Sequence, residues 1–238
     1  MAEQRKALVT GGTKGIGRAI AERLRDDGMA VTITGTRPDG QGPKGCDYLP
    51  VNFSDRAATL AFAENITAIG FDVLVNNAGT NKVGPIEDYA VEDFELIMQV
   101  NVTAPFIMCK AVIPGMKKKG WGRIVNISSL WGIGAREHRQ AYTASKFAID
   151  GMTASIAAEV AEDGILANCV APGFIRTDLS VKNLGEAGLA EMAKRIPIRR
   201  CGSVEEVAGT VAFLAGPQNT YIAGLNIPVD GGFTRSRG

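Results

Sequence analysis

Lys6-Ala7-Leu8-Val9-Thr10-Gly11-Gly12-Thr13-Lys14-Gly15-Ile16-Gly17-Arg18-Ala19-Ile20-Ala21-Glu22-Arg23-Leu24 is the stretch whose reading decides the fold. Lys6 to Thr10 is a short apolar run rich in strand formers. Gly11 to Gly17 is a glycine-rich turn. Ile16, Ile20 and Leu24 then fall on one stripe at helical spacing. Strand, glycine-rich turn, helix is the layout of a dinucleotide phosphate site. Glycines let the backbone approach a pyrophosphate, and a helix N-terminus offers free N–H groups at its positive dipole end. The spacing is Gly-x-x-x-Gly-x-Gly (Gly11, Gly15, Gly17), not the Gly-x-Gly-x-x-Gly of the commonest fingerprint. Gly12 to Gly17 has P-loop spacing, but Arg18 and Ala19 stand where Lys and Ser/Thr are required, and a P-loop is rejected. A glycine turn without a ligand is the alternative that the rest of the chain must exclude.

Outward from this unit, strands and helices alternate. Strands are predicted near 6–10, 30–36, 46–51, 71–75, 122–128, 164–170 and 225–229, and helices near 15–27, 54–68, 91–118, 141–161 and 203–215. Such alternation implies parallel strands joined by right-handed crossovers. The expected fold is α/β: one Rossmann-type, doubly wound parallel sheet of about seven strands with helices on both faces, over residues 1–238. Residues 38–45 (Pro-Asp-Gly-Gln-Gly-Pro-Lys-Gly) cannot make a helix, so the second crossover is expected to be a trimmed, mobile ribbon.

A chain of 238 residues with 45% hydrophobic and 21% charged residues suits one soluble domain. Its net charge of +1 suggests neither a nucleic-acid nor a membrane partner. No apolar run reads as long enough to span a bilayer. The start leads straight into the first strand without a secretory segment, which points to the cytoplasm. Cys46, Cys109, Cys169 and Cys201 are scattered and read as reduced, mostly buried thiols. With His138 as the only histidine, no metal site is expected.

Tyr142 and Lys146 lie four residues apart, so on a helix they share a face. A free phenol, with a pKa near ~10, is a poor acid or base at neutral pH, and a cation within a few ångströms favours its charged form. Ser129 lies upstream in Asn-Ile-Ser-Ser. The pair alone also fits a surface helix with an aromatic anchor and a solvated lysine.

Together these residues resemble the short-chain dehydrogenase/reductase family. Thr10-Gly11-x-x-x-Gly15-Ile16-Gly17 is similar to its cofactor turn, and Asn76-Asn77-Ala78-Gly79 to the motif after its fourth strand. Asn101 matches its active-site asparagine, Ser129 its serine and Tyr142-x-x-x-Lys146 its central pair. Pro172-Gly173 and Asp230-Gly231-Gly232 match its later signatures, so the resemblance covers essentially the whole chain. It implies a catalytic set of Asn101, Ser129, Tyr142 and Lys146. Tyr142 is the expected general acid, Lys146 the partner that also holds the nicotinamide ribose, and Ser129 the donor to the carbonyl oxygen. Asn101 is expected to hold a water that resupplies protons. Spacing to Tyr142 favours Ser129 over Ser128.

The cofactor expected from the resemblance is NADP(H), with NAD(H) as the alternative. The second strand ends Thr34-Gly35-Thr36-Arg37 without a carboxylate for a ribose 2′-hydroxyl, and Lys14 adds a second cation. Arginine grips a phosphate with two parallel bonds. In the alternative, Asp39 serves NAD from the short loop. The expected cofactor-binding set is Gly11, Thr13, Lys14, Gly15, Ile16, Gly17, Thr36, Arg37, Asn52, Phe53, Asn77, Ala78, Gly79, Tyr142, Lys146, Pro172, Gly173, Ile175 and Thr177.

Residues 179–196 look like the family's substrate-covering lid, with Gly185 and Gly188 allowing movement. Their length and flanks resemble those of 3-oxoacyl-(acyl-carrier-protein) reductases, which implies an NADPH-dependent reduction of a 3-oxoacyl thioester. Lys117-Lys118-Lys119 and Arg199-Arg200 are candidate contacts for an acidic carrier protein, while Glu159-Val160-Ala161-Glu162-Asp163 departs from the carrier-protein pattern. Trp131 is a candidate pocket wall. The charged 136–140 stretch is a candidate contact for an anionic or polar substrate, or else a solvated loop or subunit contact. A sugar, polyol or small ketone is the alternative substrate, and a non-catalytic nucleotide sensor a distant third reading. Family members of this length imply a homotetramer.

Overall fold

The computed structural model describes residues 4–236. Seven strands form one parallel sheet in the order β3-β2-β1-β4-β5-β6-β7. They are β1 (Lys6–Val9), β2 (Ala30–Gly35), β3 (Asp47–Pro50), β4 (Val73–Asn76), β5 (Gly122–Ile127), β6 (Ile165–Pro172) and β7 (Asn226–Val229). The strand order reverses between β1 and β4, which places a crevice at their carboxyl ends. The helices are α1 (Gly15–Asp26), α2 (Arg56–Ile69), α3 (Val91–Met98), α4 (Ala104–Lys119), α5 (Gln140–Val160), α6 (Asp178–Lys194) and α7 (Val204–Ala215).

Alternation along each strand builds a core on both faces. Ala7 and Val9 of β1 and Val73 and Val75 of β4 meet α1 and α7 through Ile20, Leu24, Val207 and Val211. Leu8, Leu74 and Ile124 face the other way, against Phe62, Ile66, Met108 and Val112 of α2 and α4. Each such side chain removed from water contributes on the order of 1.5–3 kcal/mol. The sheet is thus covered on both sides, as an all-parallel sheet requires.

Phe53 belongs to this core. It is only 6% exposed and meets Phe62 edge-on with ring centroids 6.1 Å apart. Its side chain turns inward where the chain passes from β3 to α2.

The second crossover has no helix, as its composition requires. It is pinned rather than unsupported. Tyr48 Oη donates to the Arg37 carbonyl at 2.5 Å, and Arg25 Nη1 donates to the Lys44 carbonyl at 2.5 Å.

The predicted helix over 91–118 is continuous but not uniform. A five-residue π turn, Gln99–Thr103, separates α3 from α4. Contrary to the sequence expectation, Val91–Lys119 is 29 residues long and apolar enough to cross a bilayer by length and composition. Half of its most apolar 18-residue stretch is buried, with Ile107, Met108, Ala111 and Val112 packed against the sheet, so the apolarity serves the core.

The lysines at the end of α4 sit where the helix dipole favours cations. Lys117 pairs with Asp163 at 2.7 Å and Lys119 with Asp72 at 2.6 Å. Arg200 pairs with Glu206 at 2.6 Å, and Arg199 donates to the Lys194 carbonyl. These basic clusters are engaged within the chain, which weakens them as a landing surface for an acidic protein. All four cysteines are free, and burial pushes the thiols of Cys109 and Cys169 up to about 12.

Candidate active site

The glycine turn leaves β1 and enters α1 at the switch point. Gly11 has φ +66°, a conformation that side chains rarely adopt. Gly17 is required by contact: a Cβ there would lie 2.3 Å from Asn77 Nδ2 and 2.4 Å from the Gly11 carbonyl. Asn77 Nδ2 donates to the carbonyls of Thr10 (2.9 Å) and Gly11 (3.1 Å). Thr10 Oγ1 in turn accepts from the backbone N–H groups of Asn77 (2.9 Å) and Ala78 (3.0 Å). The ends of β1 and β4 are thus tied into one rigid cradle. Lys14, the residue before α1, makes no side-chain cap, and no acidic residue occupies the first turn. The N–H groups there are left to face an anion. This cradle fits a dinucleotide pyrophosphate.

Thr36 and Arg37 follow the last residue of β2, as expected. Arg37 is held by Asp39, the alternative cofactor residue, through bonds of 3.1 and 3.3 Å. Both side chains are about three-quarters exposed (78% and 74%). So exposed a pair is worth at most about 1 kcal/mol, and a phosphate can displace it. Thr13 lies over Gly35, where a Cβ would come within 2.8 Å of its methyl. Asn52 Oδ1 accepts from Ser54 N–H and Oγ, so it shapes the turn into α2. Ile16 packs on the core beneath the turn.

Asn101 is carried inward by the π turn, which inserts one residue into the helix. Its amide is held through both the oxygen and the nitrogen. Oδ1 accepts from Thr80 N–H (2.8 Å), and Nδ2 donates to the Thr80 carbonyl (2.9 Å) and to Ser145 Oγ (3.0 Å). Ser145 donates on to the Tyr142 carbonyl at 2.7 Å. Lys146 is 6% exposed, and its Nζ donates to the Ile127 carbonyl at 2.7 Å. The same Nζ stands 5.5 Å from the centroid of the Tyr142 ring. A Cβ on Gly79 would lie 3.4 Å from Asn101 Oδ1 and 3.9 Å from Lys146 Nζ, so both polar atoms flank this glycine.

Ser129 caps the short turn Leu130–Gly132, and its Oγ accepts from Trp131 N–H at 3.2 Å. That geometry leaves the hydroxyl proton available for a substrate. Ser128, buried like Ser129, donates towards the Lys146 carbonyl at 3.4 Å.

The segment after β6 closes the crevice. Gly173 passes so near the 230 turn that a Cβ would be 2.7 Å from Asp230 Cα. Pro172 ends β6, Ile175 is buried, and Thr177 caps α6 with its methyl 3.8 Å from where a Cβ on Gly15 would sit. Trp131, Phe174 and Phe233 meet edge to face, with centroids 6.4 and 5.3 Å apart. This aromatic wall contains Trp131 as expected and two rings that sequence reasoning missed. Thr10 and Ser145 were missed as well. Thr10 Oγ1 meets Asn77 and Ala78, and Ser145 Oγ meets Asn101, all distant in sequence.

The family profile described as enoyl-(acyl carrier protein) reductase matches residues 11–234. A 3-oxoacyl-(acyl-carrier-protein) reductase of Vibrio cholerae is 39% identical over 97% of each chain. A D-beta-hydroxybutyrate dehydrogenase of Rhizobium meliloti is 35% identical, over 96% of this chain and 98% of the relative. Among solved structures, a putative NAD(P)-dependent gluconate 5-dehydrogenase from Beutenbergia cavernae with bound NADP superposes with a TM-score of 0.91. It is 32% identical and covers 99% of this chain and 98% of its own. Glycine cradle, buried Asn101 and Lys146, and matches along nearly the whole length converge on one conclusion: the chain belongs to the short-chain dehydrogenase/reductase family of oxidoreductases.

Proposed function

We propose that this protein is an NADPH-dependent carbonyl reductase that converts a 3-oxoacyl thioester to the 3-hydroxyacyl thioester. The observation that carries the reading is the Tyr142–Lys146 pair, with Lys146 Nζ 5.5 Å from the Tyr142 ring and bonded to the Ile127 carbonyl two residues before Ser129. NADPH, when bound, supplies the hydride. Lys14 and Arg37 favour a cofactor with a 2′-phosphate, and the gluconate 5-dehydrogenase similar to this chain was crystallised with NADP.

Ser129 donates a hydrogen bond from its hydroxyl to the substrate oxygen and stabilises the charge that grows there. Tyr142 gives that oxygen its proton as general acid. Lys146, anchored on the Ile127 carbonyl, orients its ammonium towards Tyr142 and the cofactor ribose. Asn101 shapes the π turn, and its Oδ1, beside Lys146 across Gly79, is the acceptor for a proton-resupplying water. Residues 179–196 act as the lid. In the structure α6 breaks at Gly185, whose φ of +66° and ψ of 174° are non-helical, and this break is the hinge.

The thioester rests on the similarity to 3-oxoacyl-(acyl-carrier-protein) reductases, and with it a place in cytoplasmic fatty acid biosynthesis as a single-domain homotetramer. A second reading, a hydroxy acid, sugar or polyol substrate, is favoured by similarity to hydroxybutyrate and gluconate dehydrogenases. A purely nucleotide-sensing role is disfavoured by the intact Ser129, Tyr142 and Lys146. The test is loss of NADPH absorbance with acetoacetyl-CoA, run beside gluconate with NADP+ and beside NADH. Turnover of the thioester with NADPH preferred supports the reading; oxidation of gluconate alone moves the assignment to the second.

A further inference from the structure

Two arginines lie in the segment between Ser129 and Tyr142, Arg136 and Arg139, and among the described residues neither makes an ion pair with a carboxylate. Arg139 is the residue before α5, three positions ahead of Tyr142, and its carbonyl accepts from Thr143 N–H at 2.7 Å. It is partly buried. Burial and the neighbouring Arg136 both push its guanidinium below the usual arginine range, while Tyr142 acts in the opposite sense. Arg136 stands 5.9 Å over the ring of Trp131, and the backbone N–H of Trp131 donates to Ser129 Oγ.

The loop that carries them is braced. His138 holds φ +61°, a costly conformation for a residue with a side chain. Its carbonyl accepts from Gly84 N–H at 3.2 Å, and Gln140 Nε2 donates to the Gly84 carbonyl at 3.0 Å. One braced loop therefore carries both like charges, Arg139 directly before α5 and three residues from Tyr142, Arg136 over Trp131, and the intervening Glu137 forms an ion pair with neither. Such an arrangement disfavours the free protein and favours an anion bound between the two.

We propose that Arg136 and Arg139 form an oxyanion subsite that holds the anionic end of the carbonyl substrate. The inference rests on the carbonyl-reductase reading and adds what lies beyond the carbonyl. The shared chemistry is an anionic oxygen group. Its source is either the carboxylate of a short keto acid or a phosphate on the arm of a thioester.

Two matched substrate pairs distinguish these sources: acetoacetate against methyl acetoacetate, and acetoacetyl-CoA against acetoacetyl-N-acetylcysteamine. Each pair keeps the ketone and removes the anionic group, by esterification in the first and together with the phosphate-bearing arm in the second, so the comparison of wild type with Arg139→Gln separates charge from size. For one pair, the wild type is expected to favour the anion by about tenfold or more in kcat/KM, chiefly through KM. Arg139→Gln brings that ratio to about one, and Arg139→Lys restores most of it. Which pair responds names the source. Ratios that are the same in wild type and Arg139→Gln for both pairs overturn the subsite while leaving the reductase reading intact. If no ketone is turned over, the reductase reading fails, and calorimetry on the NADP+-loaded protein decides the subsite. Butyrate binding about tenfold tighter than butyramide, and levelled in Arg139→Gln, upholds it; equal binding of the two in the wild type overturns it.

Discussion

Lys146 Nζ donates to the carbonyl oxygen of Ile127 at 2.7 Å, across the gap between α5 and the end of β5. This bond fixes a buried ammonium at the carboxyl edge of the sheet, two residues before Ser129. It links the strand that delivers the serine to the helix that delivers Tyr142. A buried cation without such an acceptor is costly, so the bond both places and retains the charge.

Lys146→Met is expected to lower turnover by at least about 100-fold, the scale of a disrupted general-acid system. Because the ammonium is also assigned to the cofactor ribose, NADPH affinity should fall too, measured by fluorescence quenching. Unchanged affinity with lost turnover would confine Lys146 to its effect on Tyr142.

Gly17→Ala tests the cradle. The added methyl meets Asn77 Nδ2 at 2.3 Å and the Gly11 carbonyl at 2.4 Å, both held by hydrogen bonds. NADPH binding should weaken by tenfold or more, or the protein should lose on the order of 1–3 kcal/mol from overpacking. Wild-type affinity and melting temperature in this variant would contradict the close packing of the turn against β4.

Arg37 and Asp39 give opposite expectations for cofactor choice. Arg37→Ala should reduce the NADPH-over-NADH preference about tenfold, through loss of a charge-assisted phosphate contact. Asp39→Asn frees the guanidinium and should raise the preference. Steady-state kcat/KM with both cofactors measures each. A preference unaffected by Arg37→Ala would shift the discrimination to Lys14.

Glu206 offers a pH-dependent check on α7. Arg200 and the Ser203 N–H hold its carboxyl down to about 2 from an ordinary 4.5. A depressed carboxylate pKa means that the stabilisation is present above the unfolded value and lost as pH falls towards the folded one. The stability difference between wild type and Glu206→Gln should therefore be constant near neutrality and shrink between about pH 4.5 and 2. With both side chains half exposed the difference is small, and denaturant melts at several pH values resolve it.

Asn101→Ala removes three hydrogen bonds that join the π turn to Thr80 and Ser145. It leaves the Thr80 N–H and carbonyl without their partner, a cost of about 1–3 kcal/mol, or a fall of several degrees in Tm. Turnover should fall with it, since Ser145 also bonds to the Tyr142 carbonyl.

The parallel sheet was legible because strand runs, glycine turns and helical stripes repeat at short range. Gly11, Gly15 and Gly17 between a strand and a helix suggest a phosphate cradle that the rest of the chain must support, and Tyr142 and Lys146 share a face by helical period. Other features depend on contacts that no local pattern records. The π turn at 99–103 adds a residue without breaking the apolar stripe, so 91–118 reads as one ordinary helix. Phe53 sits next to Asn52 in sequence, yet the chain turns between them and buries the ring against Phe62. Lys117 and Lys119 read as a free basic surface until Asp163 and Asp72, distant in the chain, prove to be their partners.

The most direct test of carbonyl reduction through Tyr142 follows deuterium from NADPH labelled at the hydride position into an acetoacetyl thioester, in wild type and in Tyr142→Phe. The expected result is one deuterium on the former carbonyl carbon in the wild type. Product formation in Tyr142→Phe should be slower by about 100-fold or more at undiminished NADPH binding. Labelled product formed at the wild-type rate by Tyr142→Phe would contradict the role of Tyr142 as proton donor.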